Sequence, residues 1–315
     1  MIQRLTFYNA FQQTQQLPAA DPSGDRSADD ALYAAVLAYA AGQTELALQH
    51  CLAAAAREPQ RLLLQASCAF LQRSIAGTGT AVYDDGRAFA AFIRGGGNIG
   101  LYEAVSRALH DAYPVDQPFR LLDIGVGDGL ALLPALERAP AQLDLVEPSA
   151  AMLQRTAAAL TERGFPAAAH QMTLQQFAAQ SDGEWDVVQA TFSLQTLDFA
   201  ERPALLRWLR SRTRRLLMAE FDAPDMHNPL HPDWFDYVVA RYERGLAEYL
   251  HDDGLVAQGF LMPVFWGAFA AAQRANYEQP RSSWVADLAA AGFTDVRIVP
   301  LYDYWWAPAF LLDAR

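Results

Sequence analysis

The chain predicts a doubly wound α/β fold: a seven-stranded, mostly parallel sheet with helices on both faces, preceded by an all-helical N-terminal extension. Three observations carry this. Between residues 119 and 222, short apolar runs alternate with helical segments, the order that builds a parallel sheet. A loop with three alternating glycines directly follows the first of those runs. The rhythm then returns at the end of the chain as a helix, a long extended run and a final short strand.

The extension comes first. After a polar stretch over residues 17–30, the text is strongly helical from 31 to about 73, with a turn at Gly42 and a stop at Pro59. Two antiparallel helices are the simplest reading. Gly42, Ala47, Cys51, Ala54 and Pro59 fall at offsets that resemble the small-residue and proline positions of one tetratricopeptide repeat, where small side chains let paired helices approach closely. One such repeat cannot bury its own apolar faces. These helices are therefore expected to cap the next domain or to form a homodimer contact.

Turns and the stretch RAFAAFIR lead to Gly95-Gly96-Gly97-Asn98 and an amphipathic helix over residues 101–113. Four strand–helix steps and a fifth strand follow: FRLLDIG with LALLPALERA, LDLVEP with SAAMLQRTAAALTERG, AAAHQM with TLQQFAAQ, WDVVQATF with the helix around PALLRWLRSRT, and RRLLMAEFD. After Asp222 about fifty aromatic-rich residues, among them Trp234, Phe235, Tyr242, Tyr249, Phe265 and Trp266, read as inserted helices and loops. The helix SSWVADLAAAGF and the runs DVRIVPLYDYWW and PAFLLDAR complete the chain. The expected division is a helical region over residues 1–100 and an α/β domain over 101–315, with a helical lid inserted at about 225–278.

Composition excludes several classes. With 315 residues and 52% hydrophobic content the chain can bury a large core. A formal net charge of −12 offers no broad positive surface for a phosphate backbone, so nucleic acids and anionic membranes are poor partners. The sequence contains no lysine, which removes a Walker-type lysine, a pyridoxal Schiff base and a lysine nucleophile. Cys51 and Cys68 stand in Ala- and Leu-rich helical text outside any zinc-binding spacing and read as buried thiols. The N-terminus lacks an apolar h-region and no stretch approaches a membrane span; the expected location is cytoplasmic.

The glycine loop discriminates among cofactors. Asp123-Ile124-Gly125-Val126-Gly127-Asp128-Gly129-Leu130 puts a strand before the glycines and opens a helix after them, so a ligand can lie against the backbone at the strand's carboxyl end. A dinucleotide fingerprint requires GxGxxG, but here the third glycine comes one residue early, with Leu130 in its place. The run resembles motif I of class I S-adenosylmethionine-dependent methyltransferases at Asp123, Gly125, Gly127 and Gly129. That resemblance covers about residues 102–315. It implies the Rossmann-like methyltransferase fold with its last strand antiparallel, S-adenosyl-L-methionine as cofactor and S-adenosyl-L-homocysteine as product.

Glu147 ends the second strand, where an acidic side chain can accept hydrogen bonds from both ribose hydroxyls. The resemblance extends through Val146-Glu147-Pro148-Ser149, with Met152 set to pack near the adenine. In the third unit the family's frequent Asp is missing, and Thr173, Leu174 and backbone groups take its place. Thr191 and Phe192, with Ser193, Leu194 and Gln195, correspond to the strand and loop beside the methionine part of the cofactor. This loop is not the (D/N)PP(Y/F) motif of nucleobase or glutamine amide methyltransferases. Arg94, Gly97, Asn98 and Tyr102 precede the core where related enzymes close over the cofactor's carboxylate.

Methyl transfer from a sulfonium requires alignment, exclusion of water and, for some acceptors, removal of a proton. Candidates for substrate binding or base catalysis are Gln195, Glu220, Asp222, His227, His231, Tyr302 and Asp303, with His231, Asp222 and Gln195 foremost. His227 and His231 have a helical ligand spacing, but Pro229 and Pro232 break that helix, so no metal is expected. Trp305 and Trp306 with the aromatics of the insertion line an apolar pocket, hold a cationic amine, or pack as core. The expected reaction is methylation of a small molecule at oxygen, nitrogen or carbon. The competing readings are a catalytically silent scaffold that binds a protein partner through its N-terminal helices, and a nicotinamide-dependent oxidoreductase, which the glycine spacing disfavours.

Overall fold

Seven strands and thirteen α-helices form among the described residues of the computed structural model, which are 2–14, 17, 26–78, 86–225, 228–270 and 276–315. Six helices come first: α1 (Ile2–Thr14), α2 (Ala28–Ala40), α3 (Thr44–Arg57), α4 (Leu62–Ile75), α5 (Gly86–Ile93) and α6 (Gly97–Ala112). Then follow β1 (Arg120–Ile124), α7 (Leu132–Ala135), β2 (Gln142–Val146), α8 (Ala150–Glu162), β3 (Ala168–His170), α9 (Leu174–Gln180) and β4 (Val187–Thr191). The remainder is α10 (Arg202–Arg212), β5 (Leu216–Phe221), α11 (Pro232–Ala247), α12 (Met262–Gly267), α13 (Arg281–Ala290), β6 (Val296–Asp303) and β7 (Pro308–Ala314). By packing, the chain divides into a helical unit, Met1–Asn98 with Met226–Arg274, and a sheet unit, Ile99–Asp225 with Ala275–Arg315.

The helical unit is built around α2. Ala31 through Ala38 are all buried, and a helix that is apolar all round belongs in the middle of its neighbours. Ser27 caps it by accepting the Asp30 N–H at 3.1 Å. The expected helix pair over residues 31–73 is instead three helices, α2, α3 and α4, because Gly42 at φ +75° and the Pro59 turn each reverse the chain. Trp266, on the inserted α12, is fully buried, edge-on to Tyr39 at 5.0 Å and stacked on Phe70 at 6.4 Å. Phe235 of α11 meets Tyr33 at 5.0 Å. The aromatics of the inserted segment thus pack with the N-terminal helices, which is why the two stretches form one unit.

The sheet unit has the strand order β3-β2-β1-β4-β5-β7-β6, with β1 to β5 parallel and β7 antiparallel to both β5 and β6. Its strands are buried on both faces at the centre, as β5 is at every residue, which gives the near-continuous apolar runs of a parallel sheet. One face carries Leu122, Ile124, Val188, Ala190, Leu216 and Met218 against Trp284, Leu288 and the Leu205–Leu209 stripe of α10. The order reverses between β1 and β4, so the crevice beyond their carboxyl ends is the natural ligand position of such a sheet. LALLPALERA is helical for only one turn, Leu132–Ala135; Leu136 is extended and buried, and Pro140 keeps its predecessor out of the helical region.

Candidate functional site

The loop after β1 depends on glycine three times. Gly125, Gly127 and Gly129 have φ of +66°, +57° and +80°, the left-handed region that side chains disfavour. Their surroundings differ. A Cβ on Gly125 would fall 2.5 Å from Ser193 Cβ, and one on Gly129 2.8 Å from Leu133 Cδ1, but one on Gly127 would meet nothing within 4 Å. The middle of the loop therefore faces open space while its two ends are packed. Gly125 N–H donates to the Val146 carbonyl at 2.7 Å, and Thr156 Oγ1 donates to the Gly127 carbonyl at 2.8 Å.

Glu147 is the buried residue just beyond β2. Its Oε2 accepts the Gly127 N–H at 3.1 Å and its Oε1 accepts the Ser149 N–H at 2.8 Å. The carboxylate is thereby clamped beside the open part of the glycine loop. Pro148 is exposed next to it, and Met152 is half-buried in the first turn of α8, which Ser149 caps.

Asp123 lies beneath the loop. It is almost fully buried, and Gln189 Nε2 donates to its Oδ2 at 2.6 Å while Tyr113 donates its hydroxyl to Gln189 Oε1. Burial pushes the Asp123 carboxyl up to about 7, the Gln189 bond pulling down and the Glu147 charge adding to the rise. Gln189 and Tyr113 were not among the predicted site residues; the signal available was a glutamine inside the apolar run of β4.

The loop after β4 closes the crevice on its other side. Phe192 adopts φ +52°, a strained conformation for a bulky residue. Its ring stacks on Phe221 at 4.4 Å and meets Tyr102 edge-on at 6.1 Å. Burial and the Asp128 charge raise the Tyr102 hydroxyl. Ser193 Oγ donates to the Ile124 carbonyl at 2.6 Å, joining the loops after β1 and β4. Thr191 Oγ1 and Gln195 Oε1 are buried with no hydrogen-bond partner among the described residues.

Behind this loop stands a buried polar cluster. Gln195 donates its backbone N–H to Glu220 Oε1 at 3.1 Å, and its carbonyl accepts the Tyr277 N–H at 2.6 Å. Arg202, 1% exposed, donates through Nη2 to the carbonyls of Leu197 at 2.9 Å and Tyr277 at 2.5 Å, with its guanidinium 4.1 Å from the centre of the Trp284 ring. Burial raises the Glu220 carboxyl to about 8 against the pull of Arg202 and the Gln195 bond. No local pattern in the chain marks Arg202, whose partners come from three separate segments.

Other candidates have structural employment. Thr173 caps α9 in a reciprocal pair with Gln176, and Leu174 is buried after it. Asp222 Oδ1 accepts the Arg281 N–H at 2.8 Å at the start of α13, and its Oδ2 lies 3.8 Å from Arg281 Nε. His231 caps α11, its Nδ1 accepting the Asp233 N–H at 3.3 Å in front of Pro232. It belongs to the helical unit, as does Arg94 after α5; His227 lies outside the described residues. Gly97 N–H donates to Glu248 Oε2 at 2.8 Å, and Asn98 Nδ2 donates to the Tyr249 hydroxyl at 3.1 Å. Tyr302, on β6 with Asp303, packs against Gly100, where a Cβ would lie 2.7 Å from its ring. Among the described residues no group of His, Cys, Asp and Glu could hold a metal, and no helix is long and apolar enough to cross a membrane.

Comparison with known proteins bears on this arrangement. Residues 91–298 match the family model described as a methyltransferase domain. Magnesium protoporphyrin IX methyltransferase from Synechocystis PCC 6803, solved with bound S-adenosylmethionine, is 16% identical over 69% of this chain and 81% of its own, with a TM-score of 0.45. Mitomycin 7-O-methyltransferase is 19% identical over 99% of this chain and 82% of its own, with a TM-score of 0.47. No curated protein sequence matches the chain. With about two-thirds of its length matched by that one model, the chain belongs to the methyltransferase domain family, the class I S-adenosylmethionine-dependent methyltransferases.

Proposed function

We propose that the protein transfers the methyl group of S-adenosylmethionine to a small molecule at an oxygen, nitrogen or carbon nucleophile, by in-line displacement. The observation that carries this reading is the cradle at Gly127. Its backbone turns outward at positive φ toward space that a Cβ would not fill, beside a Glu147 carboxylate already fixed by two N–H donors. A carboxylate has about four acceptor positions, so Glu147 keeps two for a pair of vicinal ribose hydroxyls. These residues fit the cofactor.

Bound there, the cofactor supplies a methyl group on a positively charged sulfur. The protein's part is alignment and exclusion of water. Met152 and Leu174 offer apolar contact for the adenine, and the Thr173 hydroxyl, although it accepts from Gln176, retains its hydrogen to donate. Thr191 and Phe192 flank the methionine end, with the buried Thr191 Oγ1 and Gln195 Oε1 open to polar partners. The stacked rings of Phe192 and Phe221 put apolar surface at that end. Asp222, with its carboxylate directed to Arg281, is not assigned as a base.

Isothermal titration calorimetry with S-adenosylhomocysteine tests the proposal. The wild-type protein is expected to bind in the micromolar range, Gly127→Arg to lose binding by filling the open space, and Glu147→Ala to weaken it by about tenfold or more. A folded wild-type protein with no affinity would sink the reading and favour a scaffold.

A further inference from the structure

The helical unit contains two thiols that nothing in the methyltransferase reading uses. Cys51 lies on α3 and Cys68 on α4, both unbridged, and their Sγ atoms are 2.9 Å apart. That is within about 0.9 Å of a disulfide bond length. The antiparallel pair α3–α4, turned by Pro59, thus holds the two sulfurs against each other from opposite helices. Their environments are unequal. Cys51 is 0% exposed, with its Sγ 3.8 Å from the Leu64 carbonyl oxygen, while Cys68 retains 8% exposure.

We propose that Cys51 and Cys68 form a hydroperoxide-reactive dithiol that closes reversibly to a disulfide between α3 and α4. The difference in exposure fixes the order of events. A hydroperoxide reaches Cys68, whose thiolate attacks the O–O bond, taking up one oxygen to become a sulfenic acid and releasing hydroxide (or alkoxide). The Cys51 sulfur then attacks the Cys68 sulfur; the S–S bond forms as the S–O bond breaks, and water leaves with the Cys51 proton. Two thiols and one peroxide give one disulfide and two waters (or water and an alcohol), so each oxidation consumes one peroxide. The contact between the thiols also lowers the Cys68 thiol from its ordinary value and, with burial, raises that of Cys51, which favours thiolate at the less enclosed member.

The dithiol is independent of the cofactor site. The test treats the full chain with one equivalent of hydrogen peroxide, then denatures, alkylates and measures the intact mass. The expected wild-type product has lost two hydrogens and takes no alkyl group; dithiothreitol restores both alkylation sites. In Cys51→Ser, dimedone is expected to trap a sulfenic acid at Cys68. In Cys68→Ser, Cys51 is expected to stay unmodified under the same exposure. The proposal is overturned if the wild type keeps two alkylatable thiols, if the disulfide links two chains, or if Cys51 in Cys68→Ser reacts as fast as Cys68 in Cys51→Ser. Far-ultraviolet circular dichroism, measured alongside, reports whether each variant is folded, and S-adenosylhomocysteine affinity tests the cofactor reading separately from the reactivity of the thiols.

Discussion

Glu220 is enclosed entirely by protein, and its Oε1 holds the backbone N–H of Gln195 at 3.1 Å, so a side chain near the end of β5 fixes the loop that follows β4. Its carboxyl rises from an ordinary 4.5 to about 8 because burial disfavours the charge. Below about pH 4.5 folded and unfolded chains both carry this proton. Between 4.5 and 8 only the folded chain keeps it, so the folded state binds more protons and stability falls as pH rises. Above about 8 the contribution is constant. Thermal denaturation from pH 5 to 9 is expected to show Glu220→Gln with a flatter profile and a higher midpoint than wild type at pH 8. Asp123, raised to about 7, contributes with the same sign and accounts for slope that survives in the variant. Parallel profiles would refute the assignment.

Arg202 fastens the same loop to the segment before α13 through two carbonyls and to α13 itself through the Trp284 face. Lysine keeps the charge but not the planar fork or the stacking. Arg202→Lys is expected to lose about 1–3 kcal/mol of stability in chemical denaturation and to bind S-adenosylhomocysteine more weakly. A variant as stable as wild type would show that the clasp contributes nothing.

The glycines of the loop separate folding from binding. Gly127→Ala faces no obstruction and meets chiefly the cost of positive φ, about 1–2 kcal/mol. Gly125→Ala adds a collision with Ser193 and is expected to cost more. Denaturation midpoints of the two variants side by side provide the check; equal losses would contradict the packing described.

Phe192 offers an inversion of the usual rule. Alanine is ordinarily better tolerated than glycine because it restricts the unfolded chain, but at φ +52° the side chain itself is strained. Both Phe192→Ala and Phe192→Gly lose the stack on Phe221. The glycine variant is nevertheless expected to be the more stable by about 1 kcal/mol, measured by urea denaturation. The opposite order would mean that the loop relaxes when the ring is removed.

What could be read in the sequence was local. The strands and the glycine loop are legible because each is specified within about ten residues by an apolar run and by positions that only glycine fills easily. Glu147 was legible by its distance from that loop. His231 carried a local signal for its structural role as well, since a capping residue before Pro232 and Asp233 opens a helix. The Asp222 contact to Arg281, the Gln189 link to Asp123 and the Arg202 clasp join residues 59, 66 and 75 positions apart. No periodicity records such pairs. The packing of the inserted aromatics with α2 and α4 is hidden for the same reason.

Because the helical unit is assembled from Met1–Asn98 and Met226–Arg274, its two parts leave the ribosome at different times. At about 5–20 residues per second, roughly 10 to 35 s separate the synthesis of Asn98 from that of Arg274. Through that interval α2 and α4 must wait without Trp266 and Phe235. The nascent chain therefore carries an unfinished apolar surface throughout that interval, and the order of synthesis, rather than the stability of the finished protein, sets the period in which it most needs protection from aggregation.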